Sequence, residues 1–291
     1  MTHPVVTGDN TVADFASASG AALTVAIDEP FIVHSRDRFA GLTRGEPLDR
    51  SDVVRLVGPV FVKGIEPGQL VAVTVHDISP ATGLGYLLGS PGYGIFKDQV
   101  ETRVRTVDVT ATSVHLTDDL TLDAKPMIGK LGLRAADDST GQPFGPHGGA
   151  LSSTSIAPGA TVLLRAAHAG GGLCLEDVHA RMGDAEATAS AVEMPARVTL
   201  SVSPWEGDAS GLPLPAVLSD AEVEVLASGA TLDEATLEAS RLLAGMLATR
   251  RDVDLTEAAL LIGAAGDLRI SFVGARPVIV RAAIDRRLAR I

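Results

Sequence analysis

The stretch GGLCLEDVHARMGDAEA, residues 171–187, crowds Glu176, Asp177, His179, Asp184 and Glu186 into one short segment. Carboxylates gathered this way repel one another and lose hydration unless something neutralises them. In an extended strand, residues two apart share a face and lie about 6.6 Å apart along the chain. Asp177 and His179 therefore project together, while Glu176 and Val178 turn away. Arg181, Met182 and Gly183 can bend the chain and return Asp184 and Glu186, a second i, i+2 pair, toward the same region. D-x-H and D-x-E units across such a bend supply oxygen and nitrogen ligands for a divalent ion. The same spacing has a second reading, in which the acids near the turn are solvated and the histidine is a hydrogen-bonded, half-buried strand residue.

Other chemistries compete for the same chain. Ser152, Ser153 and Ser155 in GGALSSTS, with Lys130 upstream, superficially suggest a Ser-Ser-Lys relay amidase, although no G-x-S-x-G elbow occurs. Cys174 could act as a nucleophile with His179 as base, but the apolar run GGLCLE reads better as a buried packing site. A non-catalytic, small-molecule-binding β-sandwich with structural Ca²⁺ would also use clustered acids; a histidine among them favours a transition metal. His34 and His76 fall on strand patterns and read as structural, and His168 is open to either reading. Asp37, in HSRDRFAG, has the form of a turn-forming aspartate. His147, in GPHGG, is flanked by glycines that permit close backbone approach.

The elements that must position these residues are mostly strands. AALTVAI, FIVHS, VVRLVGPVFV and LVAVTVHDI are short apolar runs cut by turns, and the last alternates Val71, Val73 and Val75 against Ala72, Thr74 and His76. Residues 81–98, with five Gly and one Pro, read as a long loop. Strand patterns resume in RVRTVDVTATSVHLTDDLTLDA, KPMIGKLGL, TVLLRAAHAG and AVEMPARVTLSV. After about residue 230, TLDEATLEASRLLAGMLATRR has helical periodicity and a capping box at Thr231 and Glu234. DLTEAALLIGAAG reads as a second helix, and RISFVGARPVIVRAAI returns to strand. The expected fold is α+β but predominantly β. Its N-terminal and central part, residues 1–200, would be an antiparallel sandwich or barrel-like domain carrying the site, with residues 201–291 forming a smaller α+β subdomain packed against it.

Bulk properties narrow the function. A net charge of −12 and a pI near 5.0 argue against nucleic-acid binding, which needs clustered Lys and Arg. No apolar run reaches membrane length. A single cysteine forbids a disulfide within the chain, and with no basic leader ahead of an apolar run the expected setting is the cytoplasm.

GLCLEDVHARMGDAEATASAVEM resembles the signature of the acetamidase/formamidase family, of the form G-D-x-H-A-x-Q-G-D-G-E with a following A-x-E. Asp177, His179, Ala180, Gly183, Asp184, Glu186 and Glu193 fall on its positions. GPVFVKGIEPGQLVAVTVHDI, PMIGKLGL, GPHGGALS and AGDLRIS resemble further family segments in order, over roughly residues 30–275. Four positions depart from the pattern: Glu176 and Ala185 replace glycines, Met182 a glutamine and Ala150 an asparagine. The loss of that asparagine puts acetamide or formamide itself in question as the substrate.

The resemblance implies a metal-dependent hydrolysis of a small linear carboxamide to ammonia and a carboxylic acid. Zn²⁺ is favoured as the ion, with Ca²⁺ the alternative. Asp177 and His179 are the implied ligands, with Asp37 as a further metal or water contact and His147 as a companion at the catalytic site. Glu186 is the implied general base, with Asp184 able to exchange roles with it. A homodimer or larger homo-oligomer is implied as well.

Overall fold

The computed structural model describes residues 3–37, 55–136 and 144–291. The chain is mostly strand, with large antiparallel sheets and a small C-terminal helical part, as the sequence suggested. Two sheets carry the architecture. In one, of nine strands, Phe31–His34, Ala196–Pro204, Leu70–Pro80 and Thr161–Arg165 are followed by the C-terminal strands Ala216–Leu218, Glu222–Gly229, Val278–Asp285 and Asp267–Phe272. In the other, Leu84–Gly89, Val192–Glu193, Leu173–Arg181 and Met127–Gly132 lie side by side, flanked by the hairpins of residues 103–123.

The alternation in LVAVTVHDI becomes a division of the core. Val71, Val73 and Val75 point between the two sheets and pack with residues such as Leu131 and Leu175 of the other sheet. Ala72 faces the opposite side, in a second apolar cluster beneath the helices. That cluster is built by helix α1 (Leu232–Arg251), whose Ala235, Ala239, Leu243 and Leu247 meet Val223, Val225, Ala282 and Ile284. The result is three layers, sheet on sheet with helices over the C-terminal half of one sheet. The Thr231 side chain accepts the Glu234 N–H at 3.2 Å, and the Glu234 carboxylate reaches back to the Ala230 N–H at 2.8 Å. The capping pattern read in the sequence is thus realised one residue further out than its usual form. Helix α2 (Leu255–Ala265) follows; no described helix is long and apolar enough to cross a membrane. The division expected at residue 200 falls inside the strand Ala196–Pro204, and the nine-stranded sheet continues across it.

One expectation needs correction. Residues 81–98 are not a continuous loop, because Leu84–Gly89 forms a strand paired with Arg103–Val109. The glycines that disguised it serve close approach: a Cβ at Gly85 would lie 2.8 Å from the carbonyl oxygen of Glu193. A bend at 81–83 joins this strand to the one before it, and the longer loop beyond Gly89 leans on the site, since Ile95 N–H donates to the carbonyl of Ala187.

Candidate metal centre

Leu173–Arg181 is a central strand, buried along its length from Leu173 to Ala180. Its polar residues are therefore placed where charge must be matched locally. His179 stands directly opposite Glu193 on one neighbouring strand and opposite Met127 on the other, and Glu193 in turn stands opposite Tyr86. Directly opposed residues on one sheet face have Cβ atoms about 5 Å apart, so this register brings Glu193 to His179 from fourteen positions away in the sequence. Asp177 reaches the same point along its own strand through a left-handed backbone conformation, φ 64°. Gly129 on the adjacent strand makes room for it, because a Cβ there would lie 2.7 Å from the Asp177 carbonyl oxygen and 3.2 Å from Oδ2.

The three side chains converge on one atom. His179 Nε2 lies 3.1 Å from Glu193 Oε2 and 3.5 Å from Asp177 Oδ1, and all three residues are buried. The Nε2 contacts do not have hydrogen-bond geometry, and His179 Nδ1 has no hydrogen-bond partner among the described residues. Two ligand atoms on a tetrahedral ion with bonds near 2.05 Å are separated by about 3.3 Å, a value bracketed by these two distances. Glu193 is also supported from behind: Ser190 Oγ and the Ala191 N–H approach its Oε1 at 3.4 and 3.5 Å, leaving Oε2 for the histidine. Ser190 Oγ accepts the Leu88 N–H at 3.3 Å, so the strand hidden in the glycine-rich segment steadies the site. Met127, Met182 and Ala191 form a small apolar wall beside it. Such outer contacts orient ligands and exclude water.

Electrostatics agree with a cation at this point. Burial alone would disfavour an imidazolium at His179, but the Glu193 and Asp177 carboxylates outweigh it and hold its pKa well above the ordinary histidine value. Any positive charge is welcome there, whether a proton or an ion. Glu176 is fully buried one residue earlier, opposite Lys130. Burial, followed by the charge of Asp177, pushes its pKa well above the usual carboxylate range, and the nearby backbone of Arg36 and Asp177 and the charge of Lys130 do not offset the rise.

Of the residues singled out in the sequence, the structure brings Asp177 and His179 together and adds Glu193, which the family pattern had marked without a role. Glu186 is buried in the following turn, at φ 41°. Asp184 stands apart, with its side chain 48% exposed, bonded to Arg281 and Thr154. Asp37 is buried and follows Arg36, whose backbone lies near Glu176. His147 is buried edge-on to Phe15, and burial lowers its pKa. Its carbonyl accepts the Leu133 N–H, near the Gly132 end of Met127–Gly132, whereas Met127 is the residue facing His179. The backbone of His147 therefore lies roughly 16 Å along the strand from the three ligands. His76 bonds to Ser201, and His168 to the Ala135 carbonyl.

The rival nucleophiles are placed for other work. Cys174 is buried, and desolvation pushes its thiol pKa far up. Ser153 and Ser155 accept hydrogen bonds from Arg281, and among the described residues none joins Lys130 to a serine. The signal for Glu193 was present only as the A-x-E of the family pattern; its register with His179 is a tertiary fact.

No family profile and no curated protein matches this sequence. Solved structures do. An acetamidase from Bacillus halodurans is 28% identical, with a TM-score of 0.89 over 97% of each chain. A predicted acetamidase/formamidase from the thermophile Thermoanaerobacter tengcongensis is 27% identical, with a TM-score of 0.91 over 99% of this chain and 98% of its own. An acetamidase from Yersinia enterocolitica, 23% identical over 99% and 93% of the two chains with a TM-score of 0.83, shares the fold.

Proposed function

Taking as premise that this chain resembles acetamidase/formamidase structures across nearly its whole length, we propose that it is a metal-dependent amidase releasing ammonia from a small linear carboxamide. The observation that carries the reading is the convergence of Glu193 Oε2 and Asp177 Oδ1 on His179 Nε2 at ligand-to-ligand spacing rather than in hydrogen bonds. Asp177, His179 and Glu193 would hold the ion. Three protein ligands, one of them histidine, suit a catalytic Zn²⁺ with a position left open.

When bound, the ion supplies Lewis acidity, lowering the pKa of water and polarising the amide carbonyl. The chain's own residues do the rest. Glu186, buried in the adjoining turn, takes a proton from the attacking water and returns one to the departing ammonia. Ser190 and Ala191 fix the rotamer of Glu193. Met127 and Met182 keep the neighbourhood dry, which strengthens every charge interaction in it.

The test is metal analysis of the purified protein combined with ammonia release from a panel of linear amides, before and after chelation. The expected result is stoichiometric zinc and turnover that is lost with the metal and restored by it. Bound Ca²⁺ with no ammonia from any amide would replace the reading with a binding protein, and turnover indifferent to chelation would remove the metal from the mechanism.

A further inference from the structure

Arg281 is the largest fully buried side chain of the described protein, and it belongs to the C-terminal strand Val278–Asp285 rather than to the strands that carry the metal ligands. Its Nη1 donates to Ser153 Oγ at 2.8 Å, Thr154 Oγ1 at 3.0 Å and Ser155 Oγ at 3.2 Å, and its Nη2 donates to Asp184 Oδ1 at 2.5 Å. Thr154 closes the ring by donating to the same Asp184 oxygen at 2.7 Å. Glu224, also buried, lies 3.8 Å from Nε. A buried guanidinium with this many partners is held in one geometry and holds its partners in turn.

The hydroxyl partners and Asp184 come from the two segments that flank the candidate centre, whereas Glu224 lies on the strand Glu222–Gly229. The segment 151–155 abuts Gly129, whose carbonyl accepts the N–H groups of both Leu151 and Ser152 at 2.9 Å, and Gly129 is the wall against which Asp177 rests. Asp184 opens the turn that carries Glu186. That turn is also stitched to the C-terminal sheet: Ala185 N–H donates to the Ile270 carbonyl at 2.7 Å, and the Val273 N–H donates to the Ala185 carbonyl at 3.0 Å. Ala185, Glu186 and Ala189 all have positive φ, at 79°, 41° and 54°. Non-glycine residues persist in that region only when their surroundings over-determine them.

We infer that Arg281 is a positioning residue, which fixes the Asp184–Glu186 turn relative to the wall behind Asp177. In its activity arm the inference rests on the amidase reading; in its exchange arm it does not. Arg281→Ala would leave Asp184 without its cation and Glu224 with Arg269 alone, and could unfold the protein, so the test uses Arg281→Lys, which cannot span all four acceptors, and Asp184→Asn, which perturbs the partly exposed partner. Hydrogen exchange at the Ala185 and Val273 amides, kcat and KM on the best amide, and bound zinc are measured on the full chain for both variants and the double variant.

Exchange at both amides should quicken by about tenfold or more as the clamp loosens. The expected fall in kcat is roughly 10- to 100-fold, the scale of a small misplacement, with KM and zinc content near wild type. The double variant should be no worse than the worse single one, because the two residues act as a unit. Unchanged exchange in both single variants, losses that add, or zinc lost in step with kcat would overturn the inference. A wild type that releases no ammonia while the variants still quicken exchange would sink the amidase reading and leave the clamp standing.

Discussion

Glu193→Gln is the perturbation that most directly tests the centre, because Gln keeps the volume and the strand while removing one of two anionic ligands. Glu193 Oε1 is already engaged by Ser190 and the Ala191 N–H, and Oε2 is the oxygen that faces His179 at 3.1 Å. A carboxamide in that pocket presents either a neutral oxygen or an NH₂ group to a cation. Loss of a residue that merely supports a ligand weakens metal binding about 10- to 100-fold, so loss of the ligand's charge should weaken it by at least about 100-fold, or about 2.7 kcal/mol. At fixed zinc above both dissociation constants, the stabilisation conferred by the ion falls by the same amount. For a chain of this size that is roughly 5 °C in melting temperature. The quantity to measure is the zinc-dependent increment in melting temperature within each variant, with and without chelator, so that changes in the metal-free protein cancel. Chelator competition supplies the affinity itself. Asp184→Asn is the comparator and should keep the wild-type increment. If Glu193→Gln kept it as well, the convergence on His179 Nε2 would not be a metal site.

The remaining predictions concern the surroundings of that atom. Gly129→Ala places a methyl group 2.7 Å from the Asp177 carbonyl and 3.2 Å from its carboxylate, so it should destabilise the fold by about 1–3 kcal/mol and weaken zinc binding, read by melting and by chelator competition. Ala185→Gly relieves a left-handed residue at φ 79° and should raise stability by up to about 1 kcal/mol in denaturant titration, the relief being partly offset by the greater freedom of glycine in the unfolded chain. The His179 proton has a folded pKa raised above the ordinary 6.5. Its contribution to the metal-free protein is therefore fully present below about 6.5 and lost as pH rises through the folded value; a divalent ion must displace that proton, so zinc affinity should rise with pH and calorimetry in buffers of different ionisation enthalpy should register proton release. Cys174, buried with its thiol held protonated, should resist alkylation in the native protein at neutral pH, with labelling appearing only on unfolding.

What was legible in the sequence follows from the range of the forces involved. The strands with clean alternation and the capped helix are local consequences of backbone geometry, and they appear in the structure where the residues said they would; Asp177 does meet His179, but through a left-handed backbone at φ 64° beside Gly129 rather than by strand alternation alone. Glu193 was visible only as a position in a family pattern, because its partnership with His179 depends on how two strands register. The strand Leu84–Gly89 was hidden by glycines whose purpose is tertiary: they admit neighbouring backbone. Arg281 carried no signal at all, since an arginine in RPVIVRAAI gives no hint that it will be sealed beneath two loops from another part of the chain. The D-x-E unit was expected to return as a pair, but its members part company. Asp184 is drawn to Arg281, a partner lying nearly a hundred residues away, while Glu186 alone is buried.

Glu176 is the departure from the family pattern that most needs a physical account, since a carboxyl replaces a glycine immediately before a metal-ligand candidate. Ionised, it would put a third negative charge beside Asp177 and Glu193 in a place water does not reach. The structure limits that penalty through the protonation of Glu176 itself. The side chain lies opposite Lys130 and near the backbone of Arg36 and Asp177, but burial and the charge of Asp177 outweigh these and press it toward its neutral form. With Glu176 protonated, the anions at the centre are Asp177 and Glu193, whose two charges match one divalent cation with a neutral His179 completing the set. Glu176→Gln keeps the neutral hydrogen-bonding shape and should therefore leave zinc affinity close to wild type, whereas Glu193→Gln should not. A large loss of zinc affinity in Glu176→Gln would mean that the carboxyl is ionised when the ion is bound, and the charge balance at the centre would have to be redrawn with Lys130 included.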